Sequence, residues 1–426
     1  MNALYNLTAS AARREIAAGR ITSEQLTRAC LEHIAGREPV VGAWQHLAAD
    51  EALARARERD RLPAQGLLHG IPVAVKDLID TRDMPTTYGT PVYAGHRPAW
   101  DAPCVSHARV AGAVVLGKTV STELAYFTPG KTANPRNTAH TPGGSSSGSA
   151  AAVADGMAPL ALGTQTAGSV IRPAAFCGVV GYKPSLGVIS RVGVKALSET
   201  LDTVGVMARS VGDVALFAAA ASGRHELVIN TPSDCAPRVG ICRTFDWPRA
   251  QPETQAAMAL AIQKLGAAGV TMMDVDLPPN YAGLVQAQLD IMTWEMARAL
   301  AYEWHAHRAR LSQKLQDLLA AGWALPRERY ESAVTLARNC RRAVGELFAN
   351  VDVLLTPSAM GEAPCGLDAT GDPLFNRIWT LLHTPCVHLP FTQGPHGLPV
   401  GLQVVGPAGG DRQTLVCADY LMQKLL

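Results

Sequence analysis

The chain runs to 426 residues, 48% hydrophobic and only 17% charged, which favours one large compact body with a sizeable core over several small domains. Its formal net charge is +2, so electrostatics offers no reason to expect nucleic acid or a membrane surface as a partner. The nine cysteines are odd in number and scattered, with no C-x-x-C pair, a pattern of reduced thiols in a cytoplasmic protein rather than of a disulfide framework or a zinc site.

The first residues lack a basic stretch followed by an apolar one, and no run of ~18 apolar residues occurs, so neither a signal peptide nor a spanning helix is expected. Thr22 with Gln25 forms a capping-box pattern. Leu26, Cys30 and Ile34 share one face of the helix it opens. A second helix over 48–60 completes a helical arm of about 1–62. The apolar run 71–75 reads as a buried strand ending at Lys76. A helix over 103–111 leads to a short strand at 113–116, and 128–148, rich in Pro, Asn, Thr, Gly and Ser, reads as loop. A small-residue helix over 149–155 and a buried strand at 159–162 follow, then a turn at Ser169 that opens a short helix.

Strands and helices alternate to about Gly223, closing a core segment of about 63–223. Helical patterns dominate 255–350. The return over 351–426 has strands at 351–355 and 398–405, a helix at 375–382 and a last helix from Asp411. Pro-rich stretches at 228–238 and 356–373 read as loops. With no repeat and no long linker, the expected fold is a single large α/β domain over 1–426, a mixed β-sheet core covered by helices.

Two motifs match in letters only. Residues 112–119 fit the phosphate-loop pattern G-x-x-x-x-G-K-[ST], but Ala113, Val114, Val115 and Leu116 form a strand where a flexible loop must wrap phosphate. Residues 144–148 fit the G-x-S-x-G nucleophile elbow, with His383 or His388 as the bases on offer, yet a loop precedes them where an apolar strand is required. His305 and His307 lie two apart on a helical stretch and point to different faces, a poor metal pair. No metal and no cofactor is expected.

Three positions carry more. Lys76 closes an apolar strand. A lysine there either surfaces into water or stays partly buried, where desolvation lowers its pKa and frees it to take a proton. Ser145 lies in a Gly-Gly-Ser-Ser-Ser-Gly stretch that passes at once into alanines 150–152, surroundings too apolar for a mobile linker. Ser169 follows Gly168 at a turn before a helix. It reads as an N-cap and equally as a nucleophile beside free N–H groups. Glycines among these serines let backbone donors approach a developing oxyanion, as acyl transfer requires.

Lys76 in Val75-Lys76-Asp77, the serine–glycine stretch 143–149, and Gly168-Ser169-Val170-Ile171-Arg172-Pro173 with Phe176-Cys177-Gly178 resemble the amidase signature family. Ser145 and Ser169 are separated by 24 residues, as in that family. The stretches 135–138, 181–185 and 397–403 are also family-like, so the resemblance covers most of the chain. The wording of 163–173 is most similar to malonamidase-like small-amide hydrolases.

The resemblance implies an amidohydrolase of linear C–N bonds working through an acyl-enzyme without a cofactor. In that scheme Ser169 is the nucleophile, Ser145 relays the proton after a cis peptide at Gly144, and Lys76 is the neutral base. The N–H groups of Thr166, Ala167, Gly168 and Ser169 form the oxyanion hole. Arg172 either holds a substrate carboxylate, which favours a monoamide of a dicarboxylic acid such as malonamate, or is structural. Aryl, aliphatic and ureido amides stay open. The family usually has glycine where Ala167 stands, and alanine is strained if that position needs φ > 0. A homodimer is a family-level expectation. Two other classes remain: an amidotransferase-type subunit feeding ammonia to a partner, which the short chain argues against, and an inactive relative serving as a binding module.

Overall fold

The structure is a computed structural model that describes residues 3–229 and 235–426. The chain opens with helices α1 (Ala9–Ala17) and α2 (Ser23–Val41), the edge strand β1 (Trp44–Leu47) and α3 (Ala49–Asp60). The Thr22–Gln25 capping box forms in both directions, and Gly42 in left-handed conformation ends α2. Leu26, Cys30 and Ile34 are buried on its inner face.

The middle of the chain alternates β2 (Pro72–Lys76), α4 (Pro103–Val110), β3 (Val114–Thr119), α5 (Ser147–Ala154), β4 (Leu160–Gln165), α6 (Ile171–Cys177), β5 (Val180–Lys183), β6 (Thr203–Ala208) and α7 (Val211–Ser222). Next come β7 (Val239–Ile241), α8 (Pro252–Ala267) and β8 (Met272–Asp274), then four helices: α9 (Leu284–Ala299), α10 (Ala301–His307), α11 (Gln313–Ala324) and α12 (Arg327–Ala343). Strand β9 (Val353–Pro357), α13 (Leu374–Leu381), β10 (Cys386–Gln393), β11 (Pro399–Val405) and α14 (Asp411–Leu425) complete it.

All eleven strands among the described residues join one sheet in the order β1-β3-β2-β4-β6-β5-β10-β11-β9-β7-β8. It is mixed: β2 runs parallel to β3 and β4, whereas β4 is antiparallel to β6. The central strands β2, β4 and β6 are buried along their whole length, which explains their continuous apolar runs. Small residues let helices lie close to the sheet. Helix α5 is Ser-Gly-Ser-Ala-Ala-Ala-Val-Ala and packs on β2, β3 and β4. A second apolar cluster joins α9, α11 and α12 to α13 and the inner face of the sheet.

The helix-rich stretch 255–350 is interrupted by β8, and four strands, β1, β7, β8 and β10, lie outside the expected set. The first three have three or four residues, too few for a period-2 signal. Strand β10 carries Pro390 next to a register irregularity against β11, where a missing N–H is tolerated. The loop expected at 228–238 lies partly outside the described residues. Among the described residues no helix is long and apolar enough to cross a membrane.

Gly148 fixes how α5 meets the sheet. A Cβ there would overlap the carbonyl oxygen of Ala43 and the backbone N of Val120. Neither backbone atom can move without parting helix and strand, so Gly148→Ala is expected to destabilise the fold by about 1–3 kcal/mol or more, read as a lowered thermal midpoint.

Candidate active site

Strand β2 delivers Lys76 at its C-terminal end, beneath the stretch that leads into α5. The lysine is fully buried, and its Nζ lies 2.7 Å from Ser145 Oγ and 2.7 Å from Thr164 Oγ1. Among the described residues no carboxylate pairs with it. Burial therefore drives the amine well below the ordinary lysine pKa, and the negative charge of Asp202 only partly opposes the shift. The solvated surface lysine is thus overturned, because the strand ends inside the protein and not at its edge.

Ser145 follows a cis peptide from Gly144 and is nearly inaccessible. The adjacent hydroxyls are committed elsewhere: Ser146 donates to Thr164 O and Ser147 to Gly143 O. Ser169, at the turn between β4 and α6, faces the same cavity as Ser145. That small cavity is lined by Ser145, Ser169 and Arg172 together with Tyr126, Leu197 and Met296. Leu124 and Ala125, both with positive φ (45° and 55°), turn the chain so that Tyr126 and Phe127 reach the wall.

The 166–169 loop is held from its carbonyl side. Thr380 Oγ1 on α13 donates to Ala167 O, Gln288 Nε2 on α9 donates to Thr166 O, and Asp202 accepts from Thr166 Oγ1. Gln165 Oε1 accepts from the N–H groups of Val170 and Ile171. Among the described residues the N–H groups of Thr166, Ala167, Gly168 and Ser169 donate to no protein acceptor, so four successive donors stand uncommitted around Ser169. Ala167 is not among the residues with positive φ, so the alanine sits there unstrained. Gly168 is required for a different reason, since a Cβ would overlap Asn376 Oδ1 and Pro373.

Arg172 does not extend freely into the cavity. Its Nη1 donates to Gly371 O at 2.8 Å and its Nη2 to Gly144 O at 2.7 Å, while Nε is buried without a partner. Burial, together with the nearby charge of Arg377, pushes its pKa down to about 9. The guanidinium thus clamps the carbonyl just before Ser145 to the 370–371 segment.

The structure rejects both paper motifs. Lys118 of the phosphate-loop pattern is buried in β3, where it donates to Ile79 O and Thr86 Oγ1 beside Asp77. His383 and His388 serve no serine of the elbow pattern. The first meets Thr200 O and the second Ser358 Oγ, and burial pushes their pKa values down to about 4 and about 3. Among the described residues no group of three or more His, Cys, Asp or Glu side chains gathers as a metal ion requires. Thr164, Asp202, Gln288, Asn376 and Thr380 were missed from the sequence. They reach the site from β4, the turn before β6, α9 and α13, and no local motif marks them.

A family model described as Amidase matches residues 25–415. The chain is 34% identical to a glutamyl-tRNA(Gln) amidotransferase subunit of Chloroflexus aggregans, over 95% of this chain and 94% of that one. Among solved structures it is similar to one described as an amidase (30% identity, TM-score 0.89, covering 98% of this chain and 99% of that one). It is likewise similar to the peptide amidase of Stenotrophomonas maltophilia (30% identity, TM-score 0.82, covering 98% and 96%).

The titration of Lys76 is measurable without any substrate. An amine held neutral in the folded state binds fewer protons than in the unfolded chain, so stability rises with pH between its folded pKa and ~10.4. Wild type is expected to gain on Lys76→Met by up to about 1.4 kcal/mol per pH unit in that window. Thermal unfolding of both proteins from pH 7 to 10 checks it. Parallel curves would mean that the buried amine does not carry the shift.

Proposed function

The chain belongs to the amidase family, whose activity is hydrolysis of C–N bonds, and on that footing we propose that it cleaves a small carboxylic amide to acid and ammonia through Ser169, Ser145 and Lys76. The observation that carries this reading is the fully buried Lys76 amine, its pKa pushed well down by desolvation, at 2.7 Å from Ser145 Oγ. A neutral amine has one lone pair and two N–H groups. In the reaction its lone pair takes the Ser145 proton while an N–H stays on Thr164 Oγ1.

In the proposed reaction Ser169 Oγ attacks the carbonyl carbon as its proton passes to Ser145 and the Ser145 proton passes to Lys76. The oxyanion rests on the uncommitted N–H groups of the 166–169 loop, a contribution of ~3–4 kcal/mol per donor. Protonated Lys76 then returns the proton through Ser145 to the departing nitrogen, and ammonia leaves an acyl-Ser169 ester. Water attacks the ester as its proton is drawn off along the same relay, and the relay returns that proton to Ser169 Oγ as the acid leaves. The small cavity supports a short acyl group, including the monoamide of a dicarboxylic acid such as malonamate at the malonamidase-like end of the family. Nine scattered cysteines without a C-x-x-C pair support a cytoplasmic setting.

The curated relatives favour a second reading, a polypeptide that supplies ammonia to a partner, in keeping with the amidotransferase name that they carry. The alignment spans 94% of the Chloroflexus aggregans protein, so chain length does not separate the two. Mass in solution does: the homodimer expected of the family differs from a complex with a co-purifying partner chain.

Ser169→Ala, Ser145→Ala and Lys76→Ala are each expected to lower kcat by at least about 10³-fold, measured as ammonia release. A fluorophosphonate should label wild type and not Ser169→Ala. Because Lys76 acts as a base, kcat/KM should rise with pH through its lowered folded pKa and stay level up to the ordinary lysine range. An activity that appears only near pH ~10.4 would mean an ordinary lysine and would remove it from the relay.

A further inference from the structure

Arg377, on α13 one turn before Thr380, is a buried guanidinium that makes no ion pair among the described residues. Its Nη1 donates to Gln288 Oε1, and Gln288 Nε2 donates in turn to Thr166 O on the cavity wall. The charged or ionisable groups that bear on it are Arg172 and Tyr126, both on that wall, and Asp372. Asp372 is engaged by Arg249 at 3.2 Å. Arg172 thus lines the cavity, Arg377 stands behind its wall with one side chain, Gln288, between it and Thr166, and among the described residues no acid is paired with either.

They are not equivalent. Arg172 spends both Nη atoms on the carbonyls of Gly144 and Gly371. Arg377 has one nitrogen on a neutral amide and retains 7% exposure. A buried guanidinium without an anion is costly, and its planar fork suits a carboxylate.

Resting on the hydrolase reading above, we propose that Arg377 sets substrate specificity by ion-pairing a carboxylate on the acyl chain of a short amide. The anionic end is read by Arg377, while Arg172 holds the backbone before Ser145. The Arg377–Gln288–Thr166 chain ties the anion's docking to the loop that receives the oxyanion. The small cavity favours a short chain between carboxylate and amide.

The test compares matched pairs, malonamate with malonamide and succinamate with succinamide, on full-length wild type, Arg377→Gln and Arg377→Lys. Wild type should favour the anionic member. In Arg377→Gln the anionic-to-neutral ratio of kcat/KM should fall ~10–100-fold, mostly through KM of the anionic member, and Arg377→Lys should recover part of it. Independently, malonate or succinate should slow fluorophosphonate labelling of wild type and have much less effect on Arg377→Gln. Equal losses on both members of a pair would leave Arg377 as a brace for Gln288 and overturn the proposal. A wild type with no anionic preference and no protection by dicarboxylate overturns it even if the variants do not fold. Labelling that persists without such protection sinks only the role of Arg377, whereas absence of labelling sinks the hydrolase reading beneath it.

Discussion

An amine shut inside the protein between two hydroxyls is the constraint around which this molecule is organised. Among the described residues Lys76 has no carboxylate to pair with, so the low-dielectric interior favours its uncharged form. That state depends on β2 ending under α5, on the parallel pairing that lays β4 and Thr164 beside it, and on small residues that keep water out. Alanines and glycine in α5 are therefore part of the electrostatics as well as of the packing. A larger side chain there would lift the helix and let solvent reach the ammonium.

The loop after β4 shows the complementary principle. Its carbonyls are tied down by Thr380 and Gln288 and the Thr166 hydroxyl by Asp202, while its N–H groups are left without protein acceptors among the described residues. Donors oriented in advance need no reorganisation when charge develops. Helix α13 contributes most to this. Asn376, Arg377 and Thr380 lie within five residues and act on the loop from one side, directly or through Gln288. The segment before it adds Gly371 O, which Arg172 bridges to the carbonyl that precedes Ser145. The 370–380 stretch thus supports both serine-bearing loops, although it lies some two hundred residues further along the chain.

Much of the architecture was legible in the sequence because it rests on local rules. The capping box of α2, the buried runs of β2 and β4 and the alanine helix α5 each follow from composition over a few residues. The strand assignment of 113–116 was enough to set aside the phosphate-loop pattern, and Lys118 is indeed held within β3. Short edge strands and the proline-bearing β10 escaped, since their place in the sheet comes from partners and not from their own pattern.

The sequence by itself determined which residue types were on hand and in what order: a lysine closing an apolar strand, serines among glycines 24 residues apart, and enough family wording to point to amide chemistry. Tertiary structure alone decided that the lysine is sealed from water, that the hydroxyls of Ser146 and Ser147 are spent on backbone carbonyls, and that Arg172 is turned onto backbone carbonyls. The reason is physical. Residue identity and local backbone preference are encoded over a handful of positions, whereas burial, pKa and hydrogen-bond partnership depend on segments brought together from opposite ends of the chain.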